Sequence, residues 1–243
     1  MTHTSATGDR GGEVPPVRRR DPKATRDRLV RSALELFTTL GYYATTTPLI
    51  AQRSGVAEGT IYRHFESKEH LLNEIYRAGL RLFLGAIKDS PATHPCRERL
   101  YRIALAWRDV AARNPAIVRL VFVDRLGALL DQKSRDGAKE LRTELEKIIA
   151  GGKSAGQVRP GAVEVWADIW LRLTILMLER VGAKEWGPDQ PAVQTVLESA
   201  WSVIGLSGAP ASPSLPGGNL PAGPPPPPQA QPPGDTPHSP TGR

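Results

Sequence analysis

Thr45-Thr46-Thr47-Pro48-Leu49-Ile50-Ala51-Gln52-Arg53-Ser54-Gly55-Val56-Ala57-Glu58-Gly59-Thr60-Ile61-Tyr62-Arg63-His64-Phe65 is the stretch whose reading decides the fold. It reads as two short helices meeting at a sharp angle. Thr46 is placed to cap the first, its hydroxyl accepting from a free N–H of the opening turn. Pro48 falls within that turn, where a missing N–H costs little. Ile50 and Ala51 face inward, and Ala51 is small enough for a second helix to cross closely. Gly55 follows the last turn, where the chain enters a left-handed conformation that glycine adopts freely. Val56 and Ile61 supply an apolar wedge between the helices. The pattern is a helix-turn-helix, and its second helix, from about Glu58 to His64, is predicted to enter a DNA major groove.

Working outward, Asp21-Pro22 opens a preceding helix with a capping residue and a proline at the first helical position. Leu29, Ala33, Leu36 and Leu40 share one face, with Val30, Leu34 and Phe37 beside them, at helical spacing. Gly41 ends this helix. Tyr42 and Tyr43 come next, and at least one is expected to pack beneath the motif. On the other side, Ser67 caps a helix whose Glu69 sits favourably against the positive helix end. This helix is predicted to run to about Lys88 and to bury Leu71, Leu72, Ile75, Leu82, Phe83 and Ile87. It is longer than a DNA-binding unit needs, so it is read as a bridge to the C-terminal helices.

Ser90-Pro91 marks a break, and Pro95 starts a helix carrying Leu100, Ile103, Leu105 and Trp107. Asn114-Pro115 is a new start leading into Ile117, Val118, Leu120, Val121, Phe122 and Leu126. A charged helix is predicted over about Asp131 to Ile149, with Leu141, Leu145 and Ile148 inward and Glu140 and Glu144 ahead of Lys147. Gly151 to Gly161 reads as a loop. A helix over about Ala162 to Val181 is apolar almost all round and needs cover on more than one side. A last helix spans about Gln190 to Leu206. No strand and no internal repeat is found, so the fold class is all-α.

The 243 residues carry a formal charge of +7, which favours a polyanionic partner. Cys96 is the single cysteine, which suits a reducing compartment. No apolar run reaches the length of a membrane span, and no apolar stretch comes after the N-terminal arginines. The expected location is cytoplasmic, with no membrane partner. Residues 1–21 are predicted to be a disordered basic arm. Arg18, Arg19 and Arg20 there are either phosphate or minor-groove contacts or a solvated tail. Residues 22–66 form the DNA-binding domain. Residues 67–206 are predicted to form a helical C-terminal domain, with 67–88 as the connecting helix. Residues 207–243, with five prolines from Pro224 to Pro228, are predicted to be disordered with polyproline II character. They are read as a plain tail, with a ligand for a proline-binding domain as the other reading.

The stretch from about Lys23 to Tyr76 resembles the TetR/AcrR family of bacterial transcriptional regulators. The matching residues are Ala33-Leu34-Glu35-Leu36-Phe37, Gly41-Tyr42, Thr45-Thr46, Ile50-Ala51, Gly55-Val56, Gly59-Thr60-Ile61-Tyr62, His64-Phe65 and Ser67-Lys68-Glu69. The resemblance implies a homodimer with one three-helix DNA-binding unit per subunit. It also implies a C-terminal helical domain that binds a small effector, tilts the long connecting helix and so separates the two DNA-reading heads. Within the matching motif, Thr60, Tyr62, His64 and Lys68 offer donors where phosphates would run. Thr46 and the helix ends offer backbone N–H groups. Glu58, Gly59 and Thr60 would lie closest to base edges, and Arg63 would reach a base or a phosphate. Two residues depart from the family pattern. Ala57 stands where a serine cap is usual, and Leu49 stands where a polar residue is common.

Trp107, Phe122, Trp166, Trp170 and Met177 are individually core or interface residues, and as a set they suggest a large apolar pocket for a small hydrophobic effector. Arg108, Arg119, Asp168 and Arg172 are candidate polar anchors, and Arg172 is also placed to pair with Asp168 along the helix. Val193, Leu197, Ala200, Trp201 and Ile204 are expected to join the preceding helix in a four-helix dimer interface. His94 and Cys96 supply two metal-type ligands, which do not close a site. Gly151-Gly152-Lys153-Ser154 resembles part of a phosphate-binding loop but lacks the leading glycine spacing and a preceding strand. No catalytic set or cofactor loop is found. The expected function is a sequence-specific repressor released from a DNA operator by a small hydrophobic effector. The alternative is a dimeric regulator without an effector, acting as an activator or under a protein partner.

Overall fold

The computed structural model describes residues 21–123 and 126–206. The expectations for the basic arm and the proline-rich tail lie outside these residues, apart from Asp21. The described residues form eight α-helices: α1 Pro22–Thr39, α2 Thr47–Ser54, α3 Lys68–Lys88, α4 Cys96–Arg113, α5 Pro115–Val118, α6 Gln132–Ser154, α7 Val163–Gly182 and α8 Pro191–Ile204. Between α2 and α3 the segment Glu58–Arg63 winds as a 3₁₀-helix. A π-helical turn, Arg119–Val123, continues α5. The β-structure among the described residues is one isolated bridge between Val158 and Gly205.

Local chemistry sets the helix starts. The Asp21 carboxylate accepts from Lys23 N, the Thr46 hydroxyl from Leu49 N and the Ser67 hydroxyl from His70 N. Asn114 and Asp131 cap α5 and α6 in the same way, accepting from Ile117 N and Ser134 N. Gly55 ends α2 at φ 65°, as its position in the sequence predicts.

Leu29, Ala33 and Phe37 of α1 meet Ile50 of α2, Ile61 and Phe65 in one buried group. α3 packs on α1 near its start and on α6 further along. The C-terminal helices close around Trp107, which is fully buried and donates from Nε1 to Phe83 O at 3.0 Å. Phe83, Phe122 and Trp170 ring it at centroid distances of 5.5, 5.5 and 5.8 Å. Gly79 of α3 is needed here, because a Cβ on it would stand 2.7 Å from Val121 and 2.8 Å from Ile117.

Three expectations are corrected. Leu82 is exposed, and the buried stripe of α3 runs through Leu80, Phe83, Leu84 and Ile87 instead. Gly151 to Ser154 form the last turn of α6, not part of a loop. α6 passes close to the start of α4 there, and a Cβ on Gly152 would stand 2.6 Å from the Cys96 Cβ. Burial there pushes the Cys96 thiol up to about 12, so the thiol stays protonated and inert. Asp168 pairs with Arg142 of α6 at 2.6 Å rather than with Arg172.

Candidate nucleic-acid interface

The helix-turn-helix is held from behind, which leaves one face open. Tyr42 is buried against Phe37 at 5.4 Å, and burial together with the nearby Glu69 charge raises its phenol well above the ordinary range. The Lys68 ammonium lies 4.2 Å from the Tyr42 ring centroid and donates to Tyr42 O at 3.1 Å and Thr45 O at 2.8 Å. It straps the turn before α2 to the start of α3. Two of its three protons are directed at carbonyls within the protein, which leaves one for the phosphate contact read from the sequence.

Glu58–Arg63 is a 3₁₀-helix rather than an α-helix. Thr60 N donates to Ala57 O and His64 N to Ile61 O, both three residues back. Ala57 gives no side-chain cap, and Gly59 stands in the first turn of a segment only six residues long. Such a short, uncapped segment takes the tighter ladder. Ile61 is its buried anchor.

The remaining side chains turn outward. Glu58, Gly59, Tyr62 and Arg63 are exposed, and Thr60 and His64 are half-buried. The Tyr62 hydroxyl shares a 3.0 Å hydrogen bond with the hydroxyl of Thr47, which fixes the ring beside the start of α2. Thr46 is exposed at that same helix end, its hydroxyl 3.4 Å from Leu49 N. Leu49 is half-buried and packs toward the core. Thr60, Arg63 and His64 line a hollow of about 590 Å³ with Thr25 and Arg28 of α1. Sequence reading misses Thr47, Thr25 and Arg28. The three-residue spacing of Thr25 and Arg28 on α1 is the available signal for the last two.

The other candidate sites are redistributed. Trp107, Trp170 and Met177 are buried within the core of the C-terminal helices. Trp166 stacks instead over Gly161, where a Cβ would stand 2.8 Å from the indole nitrogen. Arg108 donates to Pro188 O at 3.1 Å and to Asp109 at 2.8 Å, tying α4 to the loop before α8. Phe122 and Arg172 line a hollow of about 260 Å³ with Tyr76 and Leu141. Val193, Leu197, Ala200 and Ile204 are buried within the protomer, so they cannot form a face toward a second copy. Trp201 alone of the five is half-buried. Among the described residues no group of His, Cys, Asp and Glu could hold a metal, and no helix is long and apolar enough to cross a membrane.

Residues 29–75 match the family model of the bacterial regulatory proteins, tetR family. The HTH-type transcriptional regulator TcmR of Streptomyces glaucescens is 32% identical over 206 residues, 76% of this chain and 85% of that protein. The chain belongs to the tetR family. This tetR-family chain is a DNA-binding, helix-turn-helix transcriptional regulator and not an enzyme. It is also similar to the HTH-type transcriptional repressor KstR2 of Mycolicibacterium smegmatis, at 28% identity over 57% of this chain and 70% of that protein. A tetR-family regulatory protein from Rhodococcus RHA1 superposes with a TM-score of 0.62 at 27% identity, over 75% of this chain and 98% of its own. The expected all-α architecture, an N-terminal helix-turn-helix followed by a helical C-terminal domain, is that of the family's solved structures.

Proposed function

We propose that this tetR-family chain is a repressor that binds its operator as a homodimer and is released by a small hydrophobic effector. Residues 22–66 would serve as the reading domain and 67–206 as the effector and dimerisation domain, in the cytoplasm. The observation that carries the DNA side is the outward face of Glu58–His64, with Tyr62 pinned by Thr47, and with Arg63 and Arg28 lining the hollow beside Thr60 and His64. Positive and hydroxyl donors along such an edge suit phosphates, and the exposed Glu58 and Gly59 suit base edges. The repressor role is supported by the similarity to KstR2, a transcriptional repressor. Dimerisation is supported by apolar surface left uncovered on the last two helices: Val165, Leu176 and Val203 are exposed there. This face replaces the buried one read from the sequence.

The test is binding of the full chain to DNA from its own upstream region. Tyr62→Phe with His64→Ala is expected to weaken operator binding by about 1–3 kcal/mol while leaving the helical spectrum unchanged. Undiminished affinity in that double variant would remove both residues from the interface.

A further inference from the structure

α1 reaches from the DNA-reading unit to the C-terminal helices, and its far end borders a cleft of about 540 Å³. Three elements form the walls: the last turn of α1 with Thr38 and Thr39, α5 with Ala116 and Val118, and the end of α7 with Leu178 and Glu179. The volume falls in the range of small-molecule sites, about 300–1,000 Å³, which favour junctions between packing units. The floor is apolar, since Val118 and Leu178 are buried there. We propose that this cleft binds a neutral, apolar small molecule bearing a hydroxyl group.

The polar edge selects the hydroxyl. Thr38 Oγ1 donates to Leu34 O at 2.9 Å, and Thr39 Oγ1 donates to Glu35 O at 2.8 Å. Both hydroxyl protons point into α1, which leaves the oxygens as acceptors. Glu179, exposed at the rim, is a carboxylate and also only accepts. The threonine and glutamate edge therefore favours a ligand that brings the proton. Arg119 stands at the same rim, engaged in an interaction of its own, and its charge opposes a second cation. A neutral hydroxyl satisfies both conditions, whereas an ammonium group or a bare carboxylate satisfies one at most.

Position gives the cleft a consequence. Leu29, Ala33 and Phe37 of α1 build the reading unit's core, and Glu35 of α1 forms an ion pair with Arg53 of α2. An occupant of the cleft presses on the one helix that carries both. The cleft borders that helix directly, so it is assigned as the receptor for the effector. That last step rests on the proposed function, whereas the site itself does not.

The test uses the full chain and 2-naphthol as probe, with 2-methoxynaphthalene as a partner of similar shape that lacks the proton. Ala183→Phe fills the cleft from an exposed position. Thr39→Val removes one acceptor at nearly constant volume. Wild type is expected to bind 2-naphthol more tightly than the methyl ether. Ala183→Phe is expected to weaken naphthol binding by about tenfold or more at unchanged melting temperature. Thr39→Val is expected to weaken it by about three- to tenfold. Failure of wild type to bind naphthol, or equal affinity in Ala183→Phe, overturns the site. Release of operator DNA is read separately. Naphthol binding that Ala183→Phe abolishes, with operator retention unaffected by naphthol, supports the cleft and removes the effector reading.

Discussion

Lys68 carries a positive charge in a DNA-reading unit and directs it inward. Its two hydrogen bonds to carbonyls and its place over the Tyr42 ring make it a strap between turn and helix. Lys68→Met keeps the stem and removes the strap, and is expected to lower stability by about 1–3 kcal/mol in urea unfolding. The dependence of operator affinity on salt should keep its slope where the strap is the whole role of the ammonium, whereas a phosphate contact by its third proton would reduce the slope by about 1. A reduced slope at unchanged stability would reverse the assignment. Sequence reading does not find the strap because the sequence neighbours of Lys68 fit a phosphate edge, while the carbonyls that receive it lie 23 and 26 residues earlier. Cap residues are legible for the opposite reason. Asp21, Thr46, Ser67 and Asn114 each act on an N–H two or three residues away.

At the level of elements, the two adjacent glycines of α6 show where local reading stops. Both disfavour a helix by their own propensity, and together they suggest a loop. The structure gives them different tasks. Gly151 is exposed with nothing within 4 Å of an added Cβ, whereas Gly152 abuts Cys96. Gly151→Ala is expected to stabilise the protein by about 0.5–1 kcal/mol through helix propensity alone. Gly152→Ala is expected to destabilise by about 1–3 kcal/mol, because the α4 backbone end must shift. Paired melting curves check this, and equal shifts in the two variants would refute it. The faces of α8 pose a similar problem. A helix apolar on several sides does not declare which side meets its own protomer. Packing against α7 and α4 selects the side of Val193, Leu197, Ala200 and Ile204. The proposed dimer contact is left to the opposite side. Val203→Glu is accordingly expected to yield folded monomer by sedimentation equilibrium, while Val193→Glu should not fold. Retained dimer in Val203→Glu would exclude that face.

In the whole molecule, polar ties as well as core fasten the connecting helix α3 to the C-terminal helices. Asn73 of α3 donates to Leu129 O at 2.9 Å and accepts from Asp131 N at 2.8 Å, while Arg77 pairs with Asp131 at 2.6 Å. Partial desolvation raises the Asp131 carboxyl, but hydrogen bonds from Ser134 and Arg77 outweigh it and hold the pKa at about 2, below the ordinary 3.8. A lowered carboxyl pKa stabilises the fold fully above the ordinary value and loses that contribution as pH falls toward the native value. The stability difference between wild type and Asp131→Asn, which keeps a capping oxygen, should therefore be largest above about pH 4 and shrink toward pH 2. A difference constant across that window would deny the linkage. α1 is the other connection. Its 18 residues span about 27 Å, with Thr25 and Arg28 at one end and Thr38 and Thr39 at the other. A single stiff rod between two binding surfaces obeys thermodynamic reciprocity. Whatever factor an occupant at the far end takes from affinity for DNA, the operator takes from affinity for that occupant. A chain seated on its promoter and a chain free in solution would then sample the same metabolite at different thresholds.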